Sequence, residues 1–291
     1  MQAVRAVYVL AVFLLTSMFV IPWQALALRG RWLGYKRMPL HYQHFLARLF
    51  DIRVHVVGKP VQDRGVLMVA NHTSYLDILV LGGAIQCSFV AKAEVNDWPF
   101  FGTFARLQRT VFVDRSQRSK AGQSRDMIRE RLLEGDALVL FAEGTSGDGN
   151  FVLPFKSALM GAAEAQVGTD AAGRPIHVPV QPVSVAYVGL HGLPMGRENR
   201  PLFAWYGDME LIPHLWEGLL SGPIDVVVEF HPPMTVDSAG GRKQLAATVE
   251  TTVRRGHSRA LAGLGREPAQ PQAAEAALGG ASAQVSAQGL A

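Results

Sequence analysis

The segment Asn71-His72-Thr73-Ser74-Tyr75-Leu76-Asp77 sets an imidazole five residues ahead of a carboxylate. If the chain folds back at Thr73-Ser74, a carboxylate in the first turn of the next helix meets the imidazole of the loop before it. The carboxylate then accepts from one ring nitrogen and sets the tautomer, and the other nitrogen is left able to take a proton from a hydroxyl. A plainer reading uses the same residues. Ser74 and Asp77 have the spacing of a capping box in its acidic variant, and a histidine near a helix start is often only a solvated surface group.

Two further segments carry polar groups where chemistry could use them. In Phe141-Ala142-Glu143-Gly144-Thr145-Ser146, a glycine behind an acid at a strand end allows a tight turn with backbone groups aimed at a ligand. The acid could accept from substrate hydroxyls; an ordinary turn is the alternative. Gly147-Asp148-Gly149-Asn150 is turn-forming by itself, so Asp148 needs no function. Phe112-Val113-Asp114-Arg115 puts a guanidinium just after a strand, where paired hydrogen bonds would hold a phosphate or carboxylate. A solvated arginine is the plain reading there.

Several other chemistries lack their residues. No serine sits in a Gly-x-Ser-x-Gly elbow, and Cys87 lies inside an apolar run, so no nucleophile stands out. The nine histidines show no His-Glu-x-x-His pattern, and a single cysteine can form neither an intrachain disulfide nor a cysteine zinc cluster. Neither the phosphate loop nor the dinucleotide fingerprint occurs. No metal and no cofactor is expected.

The elements that must position these groups follow from periodicity. Residues 42–49 read as a short helix and 52–57 as a strand. A buried strand at 66–70 leads into His72 and a helix reaching about residue 81, and a strand at 88–91 precedes a helix at 98–107. A strand at 110–113, a helix at 120–133 and a strand at 137–141 ending at Glu143-Gly144 complete the first part. Farther on, 157–166 reads as a helix, 177–187 as a strand that Pro179 and Pro182 assign to an edge or a bulge, 224–230 as a strand and 242–254 as a helix. Alternating strands and helices predict an α/β fold with a mixed, largely parallel central sheet flanked by helices. Ligands in such folds bind at the carboxyl ends of strands, where His72 and Glu143 both lie.

Residues 6–28 are apolar apart from Thr16, Ser17 and Gln24, and about 20 such residues cross a bilayer. The reading is an N-terminal membrane-anchoring helix. A cleaved signal peptide is the rival, with Ala25-Leu26-Ala27 as its site, and Pro22 leaves room for a bent helix lying in the interface. Arg29, Arg31, Lys36 and Arg37 follow the stretch and only Arg5 precedes it, which puts the body of the protein on the cytoplasmic side of a bacterial-type inner membrane. The net charge of +4 concentrates beside this anchor, where anionic head groups attract it, so nucleic acid is not an expected partner. Trp98-Pro99-Phe100-Phe101 form an apolar patch that either touches lipid or belongs to the core. The expected division is an anchor at 1–40, a catalytic domain at 41–262 and a disordered, Ala- and Gln-rich tail at 263–291.

Four motifs in order carry a family resemblance: Asn71-His72 to Asp77, Phe112-Val113-Asp114-Arg115, Phe141 to Thr145, and Val178-Pro179-Val180-Gln181-Pro182. From about residue 45 to about 235 the chain resembles the glycerolipid acyltransferases, which make phosphatidic acid from 1-acylglycerol-3-phosphate. The resemblance implies transfer of a fatty acyl group from acyl carrier protein or coenzyme A to the free hydroxyl of a membrane lysolipid, with the acyl thioester as co-substrate. It implies His72 as general base supported by Asp77. Arg115, Glu143, Gly144 and Thr145 would bind the acceptor, and Pro179 or Pro182 would shape the acyl groove.

The departures point to one branch. Arg109 stands where the second motif has glycine, Ala142 where the third has proline, and Ser146 where it has the arginine expected to hold a phosphate. Lys92, Arg109 and Lys156 are the cations that could compensate. Ala91-Lys92-Ala93-Glu94-Val95, Asp97-Trp98-Pro99 and the run Glu143 to Gly149 are similar to the lyso-ornithine lipid O-acyltransferases, whose acceptor has no glycerol phosphate. The alternative is a non-catalytic lipid-binding membrane protein on the same fold.

Overall fold

The computed structural model describes residues 2–32, 34–114, 121–169 and 173–263. The helices are α1 (Gln2–Gly30), α2 (Met38–Leu49), α3 (Leu76–Ala84), α4 (Phe101–Leu107), α5 (Ala121–Leu133), α6 (Leu211–Ser221), α7 (Val236–Ala239) and α8 (Arg242–Leu261). The strands are β1 (Ile52–Gly58), β2 (Val66–Ala70), β3 (Ser88–Lys92), β4 (Val111–Val113), β5 (Ala137–Phe141), β6 (Gln166–Thr169), β7 (Pro175–His177), β8 (Val180–Leu190), β9 (Leu193–Pro194) and β10 (Ile224–Phe230). All of the tail beyond Gly263 lies outside the described residues.

The main sheet runs β1-β10-β8-β2-β5-β3-β4, with β9 paired to β8. From β8 to β4 all pairings are parallel, and β10 against β8 is antiparallel. β2 and β5 are apolar throughout and buried on both faces, as the middle strands of a parallel sheet must be. Alternation divides the core. Val66, Met68, Ala70, Val139 and Phe141 pack with α2 and α3, while Leu67, Val69, Leu138 and Leu140 pack with α5 and α8. The expected α/β architecture with its largely parallel sheet is the one observed.

Helix α6 has no counterpart in the sequence reading, α2 and α8 are longer than read, and three further elements differ in kind or position. The 157–166 segment is a 3₁₀ helix over Ser157–Glu164, followed by β6, which pairs with β7 in a separate ribbon. Three residues per turn stack Met160 above Ala163, both fully buried, and the small side chains around Gly161 tolerate that tighter winding. The 98–107 helix begins only at Phe101, because Pro99 holds Trp98 extended at ψ 126°.

Pro182 lies inside β8, between β10 and β2 and not at an edge. Its carbonyl accepts from the His231 N–H at 3.0 Å. Its nitrogen therefore faces the same side, just beyond the last β10 pairing, Phe230 with Val183. The missing donor falls where that ladder already stops.

α1 is long and apolar enough to cross a membrane, and it is docked on the domain along its length. Ala6, Val9, Ser17, Gln24 and Ala27 form its buried face, and Phe13 meets Phe50, Phe100 and Phe104 at 5.6–6.1 Å. Polar contacts hold both ends. Arg5 donates to the Leu219 carbonyl at 3.0 Å and pairs with Asp51, and Gln24 donates to the carbonyls of Tyr35 and Leu107. The opposite face leaves Val7, Leu14, Leu15, Met18, Phe19 and Trp23 exposed.

Candidate active site

β2 and β5 lie side by side, so their carboxyl ends deliver the His72 loop and the Glu143 turn to one place. Asp77, in the first turn of α3, is fully buried. Its Oδ2 accepts from His72 Nδ1 at 2.8 Å and from the backbone N–H groups of Thr73 at 2.7 Å and Ser74 at 3.0 Å. Its Oδ1 accepts from the Tyr187 hydroxyl at 2.8 Å. Burial and the neighbouring Asp77 charge push Tyr187 well above the usual phenol range, so it stays a donor. A buried carboxylate needs this many partners.

Both readings of the His72–Asp77 spacing are therefore partly present. Asp77 does cap two loop amides, but the Ser74 hydroxyl is buried with no hydrogen-bond partner among the described residues, so the reciprocal half of a capping box is missing. The orienting half is complete. With Nδ1 held by Asp77, Nε2 is left to act as a base, and 22% of the His72 side chain remains exposed.

The ring is held in other ways as well. It stacks on Phe141 at 4.0 Å with 17° between planes. The His72 N–H donates to Glu143 Oε1 at 3.1 Å, and the His72 carbonyl accepts from the Gly147 N–H at 2.9 Å. Asn71 exchanges two 2.8 Å hydrogen bonds with the Val185 backbone, tying the loop to β8.

Glu143 is buried, and burial raises its carboxyl to about 8. The N–H groups of His72 and Leu153 and the Arg254 charge oppose that rise, and the Asp77 charge adds to it. Gly144 turns the chain at φ +74°, and a Cβ there would come within 3.0 Å of Lys156 Nζ. Lys156 thus lies over the Glu143-Gly144 turn, beside exposed Thr145. Lys92 ends β3, one strand beyond β5 at the same edge of the sheet. Arg115 lies outside the described residues. Arg109 faces away from the site, at the opposite end of the sheet, where it pairs with Glu134 and Asp136.

Ser146 is engaged by the protein itself: its hydroxyl donates to the Trp205 carbonyl. The Trp205 N–H donates to the Thr73 carbonyl at 2.9 Å. Trp205 meets Tyr75 at 6.1 Å and Trp98 at 5.8 Å, and Tyr75 reaches His214 through its hydroxyl at 3.2 Å. An aromatic wall thus stands beside the His72 loop. Phe100, two residues from Trp98, touches Phe13 of α1. The 98–101 patch joins α1 to this wall.

Another serine–histidine contact exists, Ser184 to His231 at 2.7 Å with Glu229 at 3.6 Å. It is no nucleophile, because Ser184 is buried and gives its proton to the Val253 carbonyl.

Tyr187 and Trp205 were not marked by the sequence as parts of this site, and Phe141 and Gly147 lay inside quoted motifs without a role of their own. Each contributes a ring or backbone group from an ordinary strand or loop, and their spacing to His72 carries no signal.

The Acyltransferase family model matches residues 52–186. The chain is 48% identical to a lyso-ornithine lipid O-acyltransferase of Brucella abortus, over 91% of this chain and 97% of that protein. It is 30% identical to a 1-acyl-sn-glycerol-3-phosphate acyltransferase of Neisseria gonorrhoeae, over 68% of this chain and 72% of that one. The crystal structure of the 1-acyl-sn-glycerophosphate acyltransferase PlsC from Thermotoga maritima has a similar fold, with a TM-score of 0.59 at 23% identity, covering 89% of this chain and 98% of that one.

Proposed function

The chain belongs to the acyltransferase family, and from that premise we propose that it is a lysolipid O-acyltransferase whose acceptor is lyso-ornithine lipid, giving ornithine lipid. The acceptor hydroxyl binds against His72, and Nε2 takes its proton as the oxygen attacks the thioester carbonyl. A tetrahedral oxyanion forms, the carbon–sulfur bond breaks, and the imidazolium returns the proton to the leaving thiolate. Asp77 keeps the ring in the tautomer this needs. The observation that carries the reading is the 2.8 Å His72–Asp77 contact at the carboxyl end of β2, with the ring open on its other side. A non-catalytic lipid-binding protein would have no use for a buried carboxylate with four donors.

Ser146 favours the acceptor without a glycerol phosphate, because its hydroxyl is spent on Trp205. Lys156, Lys92, Gly144 and Thr145 would line the acceptor side. Acyl carrier protein or coenzyme A would present the acyl group, which is a co-substrate and not a resident cofactor. We place the protein on the cytoplasmic face of the inner membrane. α1 would lie in one leaflet, since the polar contacts at both its ends dock it against the domain.

The deciding experiment supplies the protein in membranes with labelled acyl carrier protein or coenzyme A thioester and two acceptors, lyso-ornithine lipid and lysophosphatidate. Diacylated ornithine lipid as the main product by mass spectrometry supports the reading. Exclusive formation of phosphatidic acid rejects the acceptor, and no acyl transfer to either rejects the activity.

A further inference from the structure

The family resemblance gives Glu143 a role in holding the acceptor, yet its side chain points into the protein. It is 2% exposed. Oε1 takes the His72 N–H at 3.1 Å, and Oε2 is buried with no hydrogen-bond partner among the described residues. The same turn returns a second bond, from the Gly147 N–H to the His72 carbonyl at 2.9 Å. The His72 peptide is thereby gripped at both its polar groups by residues 143–147. We propose that Glu143 is a positioning residue, which together with Gly147 sets the backbone of the catalytic histidine and touches neither the lipid nor the thioester.

The surroundings agree with that role. Burial and the negative charge of Asp77 on α3 both favour the neutral acid, and they prevail over the N–H groups of His72 and Leu153 and the Arg254 charge on α8, so the carboxyl holds its proton to about pH 8. Lys156 lies over Gly144, while Glu250 on α8 is occupied by the Phe155 N–H and Arg254. A neutral acid can accept from backbone N–H groups, and glutamine reproduces that. An acid meant to bind substrate would need an oxygen at the surface.

The test compares Glu143→Ala and Glu143→Gln. Its kinetic arm rests on the acyl-transfer reading above. At saturating thioester, Glu143→Ala should lose roughly 100-fold in kcat with the lysolipid KM within about twofold of the parent, and Glu143→Gln should recover at least about tenfold of that loss. A raised lysolipid KM with kcat retained in either variant would put Glu143 on the acceptor and overturn the proposal. The second arm needs no turnover. Amide hydrogen exchange of the 71–74 loop, measured without substrates, should be faster in Glu143→Ala and as in the parent in Glu143→Gln. Equal protection in all three proteins would also overturn it. If exchange behaves as expected but the parent transfers no acyl group, the proposed activity fails and the positioning role stands.

Discussion

The Tyr187 hydroxyl donates to Asp77 Oδ1 at 2.8 Å, joining residues 110 apart in the chain. It occupies the oxygen that His72 does not use, so the carboxylate cannot swing away from the imidazole. Tyr187→Phe leaves Oδ1 buried with that donor gone, which should cost about 1–3 kcal/mol in stability. It should also cost about tenfold in kcat, with unchanged KM, because one charge-assisted bond is worth roughly one power of ten. Denaturant unfolding and steady-state kinetics check the two separately. A full kcat with reduced stability would leave Tyr187 as packing alone.

His72→Ala should lose roughly 10²–10⁴-fold in kcat while lipid binding persists. Asp77→Asn should fall in the same range, since the amide cannot accept from three donors at once and disturbs the tautomer. Acyl transfer measured at matched thermal stability distinguishes chemistry from unfolding.

Ser146→Ala removes the hydroxyl that holds the Trp205 carbonyl. The wall beside Thr73 should loosen at a cost of about 1 kcal/mol. Ser146→Arg should in addition raise the ratio of phosphatidic acid to ornithine lipid when both acceptors compete. An unchanged product ratio in the arginine variant would separate residue 146 from acceptor choice.

Two buried groups set opposite pH slopes. Glu143 stays protonated in the fold to about 8, against 4.5 for an ordinary carboxyl. Between those values the unfolded chain has already released this proton, so stability falls as pH rises from about 4.5 to 8, and Glu143→Gln should remove that slope. His257 is held neutral down to about 4 by burial first, then by the Arg200 charge, against the ordinary 6.5. Its share of stability is present above about 6.5 and is lost as pH falls toward 4 and below, and His257→Gln should flatten the acid side. Thermal melts across pH 4 to 9 read both slopes.

Leu15 and Phe19 lie on the outer face of α1, 56% and 64% exposed. Leu15→Glu with Phe19→Glu should leave the docked face intact and release the protein from membranes into the soluble fraction, since charged groups are costly in hydrocarbon. Retention on vesicles by the double variant would move the membrane contact elsewhere.

The sequence by itself determined the strands that carry the site, because β2 and β5 are unbroken apolar runs that only the middle of a sheet can bury, and their ends are marked by His72 and Glu143. It also set His72 and Asp77 close enough to meet through one local turn, a spacing equally open to a helix cap until the fold showed the contact. The long apolar N-terminal helix was equally legible from its length and composition. What tertiary structure decided are the contacts whose sequence separation carries no pattern. Tyr187 reaches Asp77 only because β8 lies beside β2, and Gly147 closes on His72 only because β5 is the other neighbour. Pro182 read as an edge or bulge signal because the sequence does not show where β10 stops pairing. Glu143 shows the limit most clearly. Residue type and place left it open between a ligand for the acceptor and an ordinary turn, but the direction of a side chain at a strand end depends on what packs over it, and here the His72 loop does.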